Sequence, residues 1–118
     1  MQYAFTYGSD ALEALEHYRA DHAILSIDGI KADAGLTTYH AEEATLDRAM
    51  MRRVCATIVV ADYTKIGHES FASVSALNRS IELITNECAN KEQIADIATK
   101  CSGVYLCNDE GGLARYTG

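Results

Sequence analysis

The stretch TIVVAD, residues 57–62, decides how the rest of the chain is interpreted. It is largely apolar with almost no alternation, which is typical of a strand covered on both faces in a parallel sheet. A charged turn, from Asp62 to Lys65, follows at once. Because open parallel sheets bind ligands beyond the carboxyl ends of their strands, this stretch predicts a sheet with a polar site at its edge.

Helices and strands alternate on both sides of this stretch. Apolar runs predict further strands at residues 23–28, 81–85 and 103–107. Apolar residues at helical spacing predict helices at residues 10–20 and 41–54, and a third helix marked by Ile94, Ile97, Ala98 and Cys101. This order predicts an α/β domain with a mainly parallel sheet flanked by helices.

Two segments lack a clear periodic pattern. KADAGLTTY, residues 31–39, is interpreted as a loop in which Gly35 is the turn residue. The polar, glycine-rich end, residues 108–118, is expected to form a loosely docked tail, which leaves residues 1–107 as the domain.

Composition and charge narrow the possible partners. The chain has 118 residues, of which 48% are hydrophobic, and a formal net charge of −7. A chain this acidic lacks the basic surface that binds nucleic acid directly, and no apolar run reaches the roughly 20 residues of a membrane-spanning helix. We therefore expect a cytoplasmic protein with neither direct DNA contact nor a membrane partner.

Metal and cofactor chemistry are not indicated. The cysteines are Cys55, Cys88, Cys101 and Cys107, too far apart for the close pairs that zinc sites use, so they are interpreted as core thiols. The four histidines show no ligand spacing, and the motifs of nucleotide hydrolysis, dinucleotide binding, serine hydrolysis and zinc proteases are missing. No metal and no cofactor are predicted.

Polar residues follow three of the predicted strands. They are Asp28 and Gly29, then Asp62 with Thr64 and Lys65, then Thr85 with Asn86. If these strands are parallel, their carboxyl ends share one edge, where following helix N-termini offer free N–H groups. The alternatives are that Asp28 and Gly29 only form a turn, that Asp62 caps the turn after it, and that Lys65 is a solvated surface lysine.

The helix predicted from residue 41 carries an acid on its apolar side. At 100° per residue, Glu43 lies almost on the axis of the apolar stripe, so its carboxylate is expected to face inward. Asp47, at i+4, repels it, while Arg48 and Arg52 form a like-charged pair elsewhere on the helix. This segregation is compatible with an external ligand or a subunit contact. The alternative is that Glu43 favours the positive helix end and turns to water.

Four stretches resemble the C-terminal sensor domain of DeoR-type bacterial transcription regulators over residues 8–107. They are ADHAILSIDGI, GLTTYHAEEATLDRAMM, TIVVADYTKIG and IELITNE. The resemblance implies a partial ribose-5-phosphate isomerase or CoA-transferase-like, Rossmann-like fold, with residues 1–107 as the C-terminal part of the domain. It also implies a phosphorylated sugar or related metabolite as effector, no catalysis, and DNA contact only through a helix-turn-helix domain outside this chain.

The resemblance also implies which residues contact the ligand. They are Asp28, Gly29, Gly35, Thr38, Glu43, Arg48, Asp62 and Lys65, with Asp21 before the first strand. Lys65 and the glycine-containing segment 35–38 would face a phosphate, and Glu43 and Asp28 would face sugar hydroxyls. Three residues depart from the family pattern: Ser26 for glycine, Asp47 for lysine, and Asn86 for aspartate. Because Asp47 reverses a charge beside the expected anion site, we expect altered phosphate affinity or a different ligand.

Two other functions stay open. An isomerase-type enzyme would use Glu43 or Asp47 as general base and Lys65 to stabilise the enolate. An oligomerisation unit without a ligand would fit the charge at Asp47 and a missing N-terminal half of the sensor domain. Since a missing half would expose a sheet edge, we expect a homo-oligomer.

Overall fold

The computed structural model of the protein describes residues 20–117. Within that range the elements are β1 (Ala20–Ser26), β2 (Gly29–Lys31), β3 (Gly35–Thr38), α1 (Ala41–Arg52), β4 (Val54–Val60), a 3₁₀ turn (Tyr63–Lys65), β5 (Ala72–Ser75), β6 (Ile81–Asn86), α2 (Lys91–Ala98), β7 (Gly103–Cys107) and β8 (Leu113–Arg115).

The main sheet has five strands in the order β1-β4-β6-β7-β8. The first four strands are parallel, and β8 pairs antiparallel with β7 at one edge. The prediction of a mainly parallel α/β sheet is confirmed, and each of its four predicted strands is present. The first two begin and end two or three residues earlier than predicted. The tail predicted to be loose contributes β8, an exposed edge strand.

One face of the main sheet forms the core. Leu25, Val59 and Leu83 are fully buried there, because alternate residues of β1, β4 and β6 point to the same side. On the other face Ile24 is 45% exposed and Val60 is 44% exposed. The prediction that residues 57–62 are covered on both faces is therefore wrong for β4. A lack of alternation in the sequence did not imply equal burial, since β-branched residues occupy both faces.

A second sheet, β2-β3-β5, is antiparallel and was not predicted. Its residues 35–38 were interpreted as a loop, but all four are buried in β3. Gly35 is the point of closest approach: its φ is +75°, and a Cβ there would lie 2.1 Å from the carbonyl oxygen of Ser75. Only glycine fits this position, because both the backbone angle and the space exclude a side chain.

Two helices are present in the described range. The first, α1, agrees with the predicted helix and ends two residues earlier. The second, α2, begins three residues before the predicted apolar pattern, because the side chain of Asn90 accepts a hydrogen bond from Gln93 N and caps it. Of the helix predicted for residues 10–20, only Ala20 is described, and it begins β1. Neither described helix is long and apolar enough to cross a membrane.

Candidate functional site

Polar residues from three neighbouring strands meet at one edge of the main sheet. The strands β1, β4 and β6 are adjacent and parallel, so their carboxyl ends lie together. Asp28 follows β1, Asp62 follows β4, and Asn86 ends β6. The side-chain oxygen of Asn86 accepts a hydrogen bond of 2.9 Å from Tyr63 N, which joins two of these ends directly. This strand order brings the three strand ends together, as the sequence predicted.

Asp28 connects the main sheet to the end of β3. Its Oδ2 accepts hydrogen bonds from Thr38 Oγ1 at 2.8 Å and from Tyr39 N at 2.9 Å. Its own N–H donates to the carbonyl of Thr37 at 3.0 Å. Asp28 is half-buried and Thr38 fully buried, so this contact holds the chain entering α1 against the strand edge.

The turn after β4 is built around Asp62. Its Oδ1 accepts hydrogen bonds from Thr64 N at 2.8 Å and from the Thr64 hydroxyl. These bonds lower the pKa of Asp62 below its ordinary value, because they favour the charged carboxylate. The capping alternative for Asp62 is thus present in the structure, and contact between Asp62 and a ligand stays a prediction.

Lys65 closes this turn with an available ammonium group. It is half-buried. Lys65 forms no direct ion pair within residues 20–117, where the one such pair joins Lys31 to Asp33 at 3.9 Å, although the charge of Lys65 helps to lower the pKa of Asp62.

The small sheet holds the segment after this turn in place. Gly67 N donates to the carbonyl of Ile30 at 2.7 Å, and Ser70 N donates to Thr37 Oγ1 at 2.9 Å. The carbonyl of His68 lies so close to Gly29 that a Cβ there would be 2.3 Å away. Gly29 therefore permits close backbone approach, and the turn of Lys65 is fastened to the sheet that also carries Thr38.

The helix α1 brings two more acids to this edge. Glu43 is half-buried, and Asp47, one turn later, is 0% exposed. Neither carboxylate oxygen of Asp47 has a hydrogen-bond partner among the residues that the structure describes. Burial raises the pKa of Asp47 from 3.8 to about 7, and the negative charges of Glu43 and Asp28 contribute to this rise, while Arg48 opposes it. Asp28, Glu43 and Asp47 therefore form an acidic cluster in which the carboxyl group of Asp47 receives no hydrogen bond from residues 20–117.

Two predicted site residues lie away from this cluster or are engaged elsewhere. Gly35 pairs with Lys31 at the far end of β3 from Thr38. Arg48 Nη1 donates to the carbonyl of Ser73 at 2.6 Å, which ties α1 to β5. Arg48 also lines a cavity of about 460 Å³ that includes the start of β4 and so lies toward the amino ends of the strands. Both residues thus have structural roles in the fold.

The comparison with known families decides the identity of this fold. Residues 2–87 match the model of the DeoR C terminal sensor domain. The chain belongs to this family. The acidic edge described above is therefore a feature of a DeoR sensor domain.

The sensor domain is similar to parts of several transcriptional regulators. It is 33% identical over 113 residues to the HTH-type transcriptional repressor GlcR of Bacillus subtilis. These aligned residues cover 93% of this chain and 43% of GlcR. It is 28% identical over 108 residues to the HTH-type transcriptional regulator GlpR of Haloferax volcanii, with 92% of this chain and 40% of GlpR covered. Over 77 residues it is 31% identical to the HTH-type transcriptional regulator GolR of Listeria innocua. These aligned residues cover 65% of this chain and 30% of GolR. The chain thus spans less than half the length of these relatives.

The burial of Asp47 in the sensor domain is the feature that sequence reasoning missed. The prediction turned the carboxylate of Glu43 inward, whereas the fully buried acid is Asp47. The signal was available, because four residues at 100° each place Asp47 only about 40° from Glu43, inside the apolar stripe.

The cysteines of the sensor domain are less buried than predicted. Cys101 is buried, Cys107 is half-buried, and Cys55 and Cys88 are exposed. The interpretation as core thiols therefore holds for Cys101. It is wrong for Cys55, on β4, and for Cys88, in the turn after β6, because both are exposed. Within residues 20–117 no three histidine, cysteine or acidic side chains are grouped to hold a metal ion.

Proposed function

We propose that this DeoR sensor domain binds a phosphorylated sugar or related metabolite at the edge formed by Asp28, Thr38, Glu43, Asp47 and Lys65. Occupancy of this edge would change DNA binding by a helix-turn-helix domain outside the chain. The observation that carries the proposal is the convergence of hydrogen-bonding and charged side chains at the carboxyl ends of parallel strands, where this sheet type binds ligands. A role of this kind involves no catalysis and would operate in the cytoplasm, where a repressor meets DNA.

Phosphate and sugar groups would contact different parts of this edge. Lys65 would bind the phosphate, because the residue is half-buried and its ammonium forms no direct ion pair within residues 20–117. The N–H groups in the first turn of α1 can add to this, since the side chain of His40 does not cap them. These helix N–H groups take the place of the donors that were expected from segment 35–38. That segment is a strand paired on both sides, so its backbone groups are already hydrogen-bonded. Asp28 and Glu43 would accept hydrogen bonds from sugar hydroxyls.

Calorimetric titration with a panel of sugar phosphates tests the proposal. We expect a saturable response that Lys65→Ala weakens by about ten- to a hundredfold, since a hydrogen bond to a charged group contributes about 1.5–3 kcal/mol. The matched control is Lys100→Ala, which removes an exposed lysine beyond α2. No binding, either by this chain or by an intact regulator that contains it, would reject the proposal.

We also propose that the sensor domain self-associates. The edge strand β1 exposes unpaired backbone groups in the described range, and edges of this kind favour pairing with another chain. Light scattering coupled to gel filtration would detect the oligomer, and a strictly monomeric chain at high concentration would contradict this part.

An isomerase-type enzyme is the second candidate function, and Asp47 is the observation that favours it. A general base works best when its pKa lies near the operating pH, and that of Asp47 is about 7. Turnover of ribose 5-phosphate by the purified chain, abolished in Asp47→Asn, would support this candidate over the sensor role.

A further inference from the structure

Asp47 is a buried acceptor for which residues 20–117 supply no donor. Its side chain is fully buried, and neither carboxylate oxygen accepts a hydrogen bond from that part of the chain. Buried polar groups in folded proteins are nearly always hydrogen-bonded, so an orphaned carboxyl at a ligand edge indicates a partner that arrives from outside.

The charged neighbours of Asp47 do not supply that donor. Glu43 on the same helix and Asp28 after β1 are both acids, and both disfavour the charged form of Asp47. Arg48 is the nearby cation, but its Nη1 donates to the carbonyl of Ser73 and its Nη2 to Thr45 Oγ1 at 3.4 Å. The local field of the cluster is therefore negative, and its one guanidinium is already engaged.

We propose that Asp47 receives a protonated amino group of the ligand, so that the effector of this sensor domain is a phosphorylated amino sugar. The inference rests on the proposed function, since it assumes that the edge takes a phosphorylated sugar. An ammonium group donates up to three hydrogen bonds and carries the charge that three neighbouring carboxyls attract. A hydroxyl at the same place would donate one hydrogen bond and would not compensate the negative charge of the acidic cluster.

Binding of an ammonium group would also move a proton. The pKa of Asp47 near 7 leaves the group partly protonated at neutral pH, and a cation beside it favours the carboxylate. Asp47 therefore releases protons when the amine binds. A phosphorylated sugar without an amine has no positive charge to offer Asp47, so its binding releases fewer protons.

Paired titrations test the inference. The probes are the 2-amino hexose 6-phosphates of gluco, galacto and manno configuration, each against its parent hexose 6-phosphate and its N-acetyl derivative. For at least one configuration we expect the amine to bind about tenfold or more tightly than its parent, because charge-assisted hydrogen bonds are about twice as strong as neutral ones. Calorimetry in two buffers of different ionisation enthalpy should report more proton release with the amine than with its parent.

Two variants separate a specific contact from a general charge effect. Asp47→Asn keeps the size of the side chain and should reduce the preference for the amine to within about threefold. Glu42→Gln is the control, because it removes an exposed carboxylate from the first turn of the same helix and should leave the preference unchanged. Each titration is repeated with EDTA and with Mg²⁺, so that a preference carried by a phosphate-bound cation is recognised.

The outcomes distinguish the inference from the proposed function. Equal binding of the amine and its parent in every configuration, or a preference that needs Mg²⁺ or survives Asp47→Asn, would overturn the inference alone. Binding of none of the sugar phosphates would overturn the proposed function with it. A preference for the amine that is lost in Asp47→Asn and kept in Glu42→Gln supports the inference.

Discussion

Replacing Asp47 with asparagine should stabilise the unliganded protein, by an amount that grows as the pH rises. Asp47 is fully buried, and its pKa is raised from 3.8 to about 7. Below pH 3.8 the folded and the unfolded chain both hold this proton, and the group has no effect on stability. Between pH 3.8 and about 7 only the folded chain holds it, so the free energy of unfolding falls as the pH rises, and above about pH 7 the loss is complete.

The magnitude follows from the size of the shift. At about 1.36 kcal/mol per pKa unit, the loss reaches about 4 kcal/mol above roughly pH 7 and only about 1–2 kcal/mol near pH 5. The asparagine in the variant would not titrate, so the stabilising effect of Asp47→Asn should be roughly 2–3 kcal/mol larger at pH 8 than at pH 5. Any constant effect of the buried amide cancels in this difference.

Denaturant unfolding of both proteins at pH 5 and pH 8 measures the effect. Glu42→Gln, an exposed change on the same helix, should show no such growth with pH. The reasoning would be refuted if Asp47→Asn changed stability equally at the two pH values, because the carboxyl would then titrate alike in the folded and unfolded chain.

Two further predictions concern the fold. Gly35→Ala should cost more than about 2 kcal/mol or prevent folding, because its φ is +75° and the new Cβ would lie 2.1 Å from the carbonyl of Ser75. Gly111→Ala is the control: its φ is +84° in open space, so thermal unfolding should show only the backbone strain of about 1 kcal/mol. Leu83→Ala should cost about 2–5 kcal/mol, whereas Val60→Thr, on the exposed face, should stay within about 0.5 kcal/mol. Equal losses at Leu83 and Val60 in chemical denaturation would contradict the assignment of the two sheet faces.

The main sheet could be predicted from sequence because its strands are long and apolar. The stretch at 57–62 and the run at 103–107 each show an uninterrupted apolar pattern between turn residues. The strands of the second sheet, such as Gly29–Lys31 and Ala72–Ser75, have only three or four residues. Strands this short show no periodicity, so their pairing depends on contacts that only the folded chain reveals.

The site was predictable where it depends on topology and was missed where it depends on packing. Asp28 and Asp62 follow adjacent parallel strands, so the general rule for open sheets predicted their shared edge. The burial of Asp47 depends on how α1 packs in the folded chain, where the bond from Arg48 to Ser73 ties this helix to β5 of the second sheet. Helix geometry placed both Glu43 and Asp47 on the inward side of α1, but it could not show which of the two acids the packed protein buries.

The cost of Asp47 bears directly on how a sensor can respond. An unsatisfied carboxyl destabilises the empty domain, and any ligand that supplies its donor recovers part of about 4 kcal/mol in addition to its other contacts. The same residue lies on α1, whose next side chain, Arg48, holds β5, and whose first turn follows the contact between Asp28 and Tyr39. Ligand binding at Asp47 would therefore change the stability of the helix that joins the two sheets. If only the ligand satisfies the carboxyl of Asp47, the occupied and empty states differ in the stability of α1 as well as in their local contacts. A ligand can shift a conformational equilibrium only through such a difference in free energy between the two states.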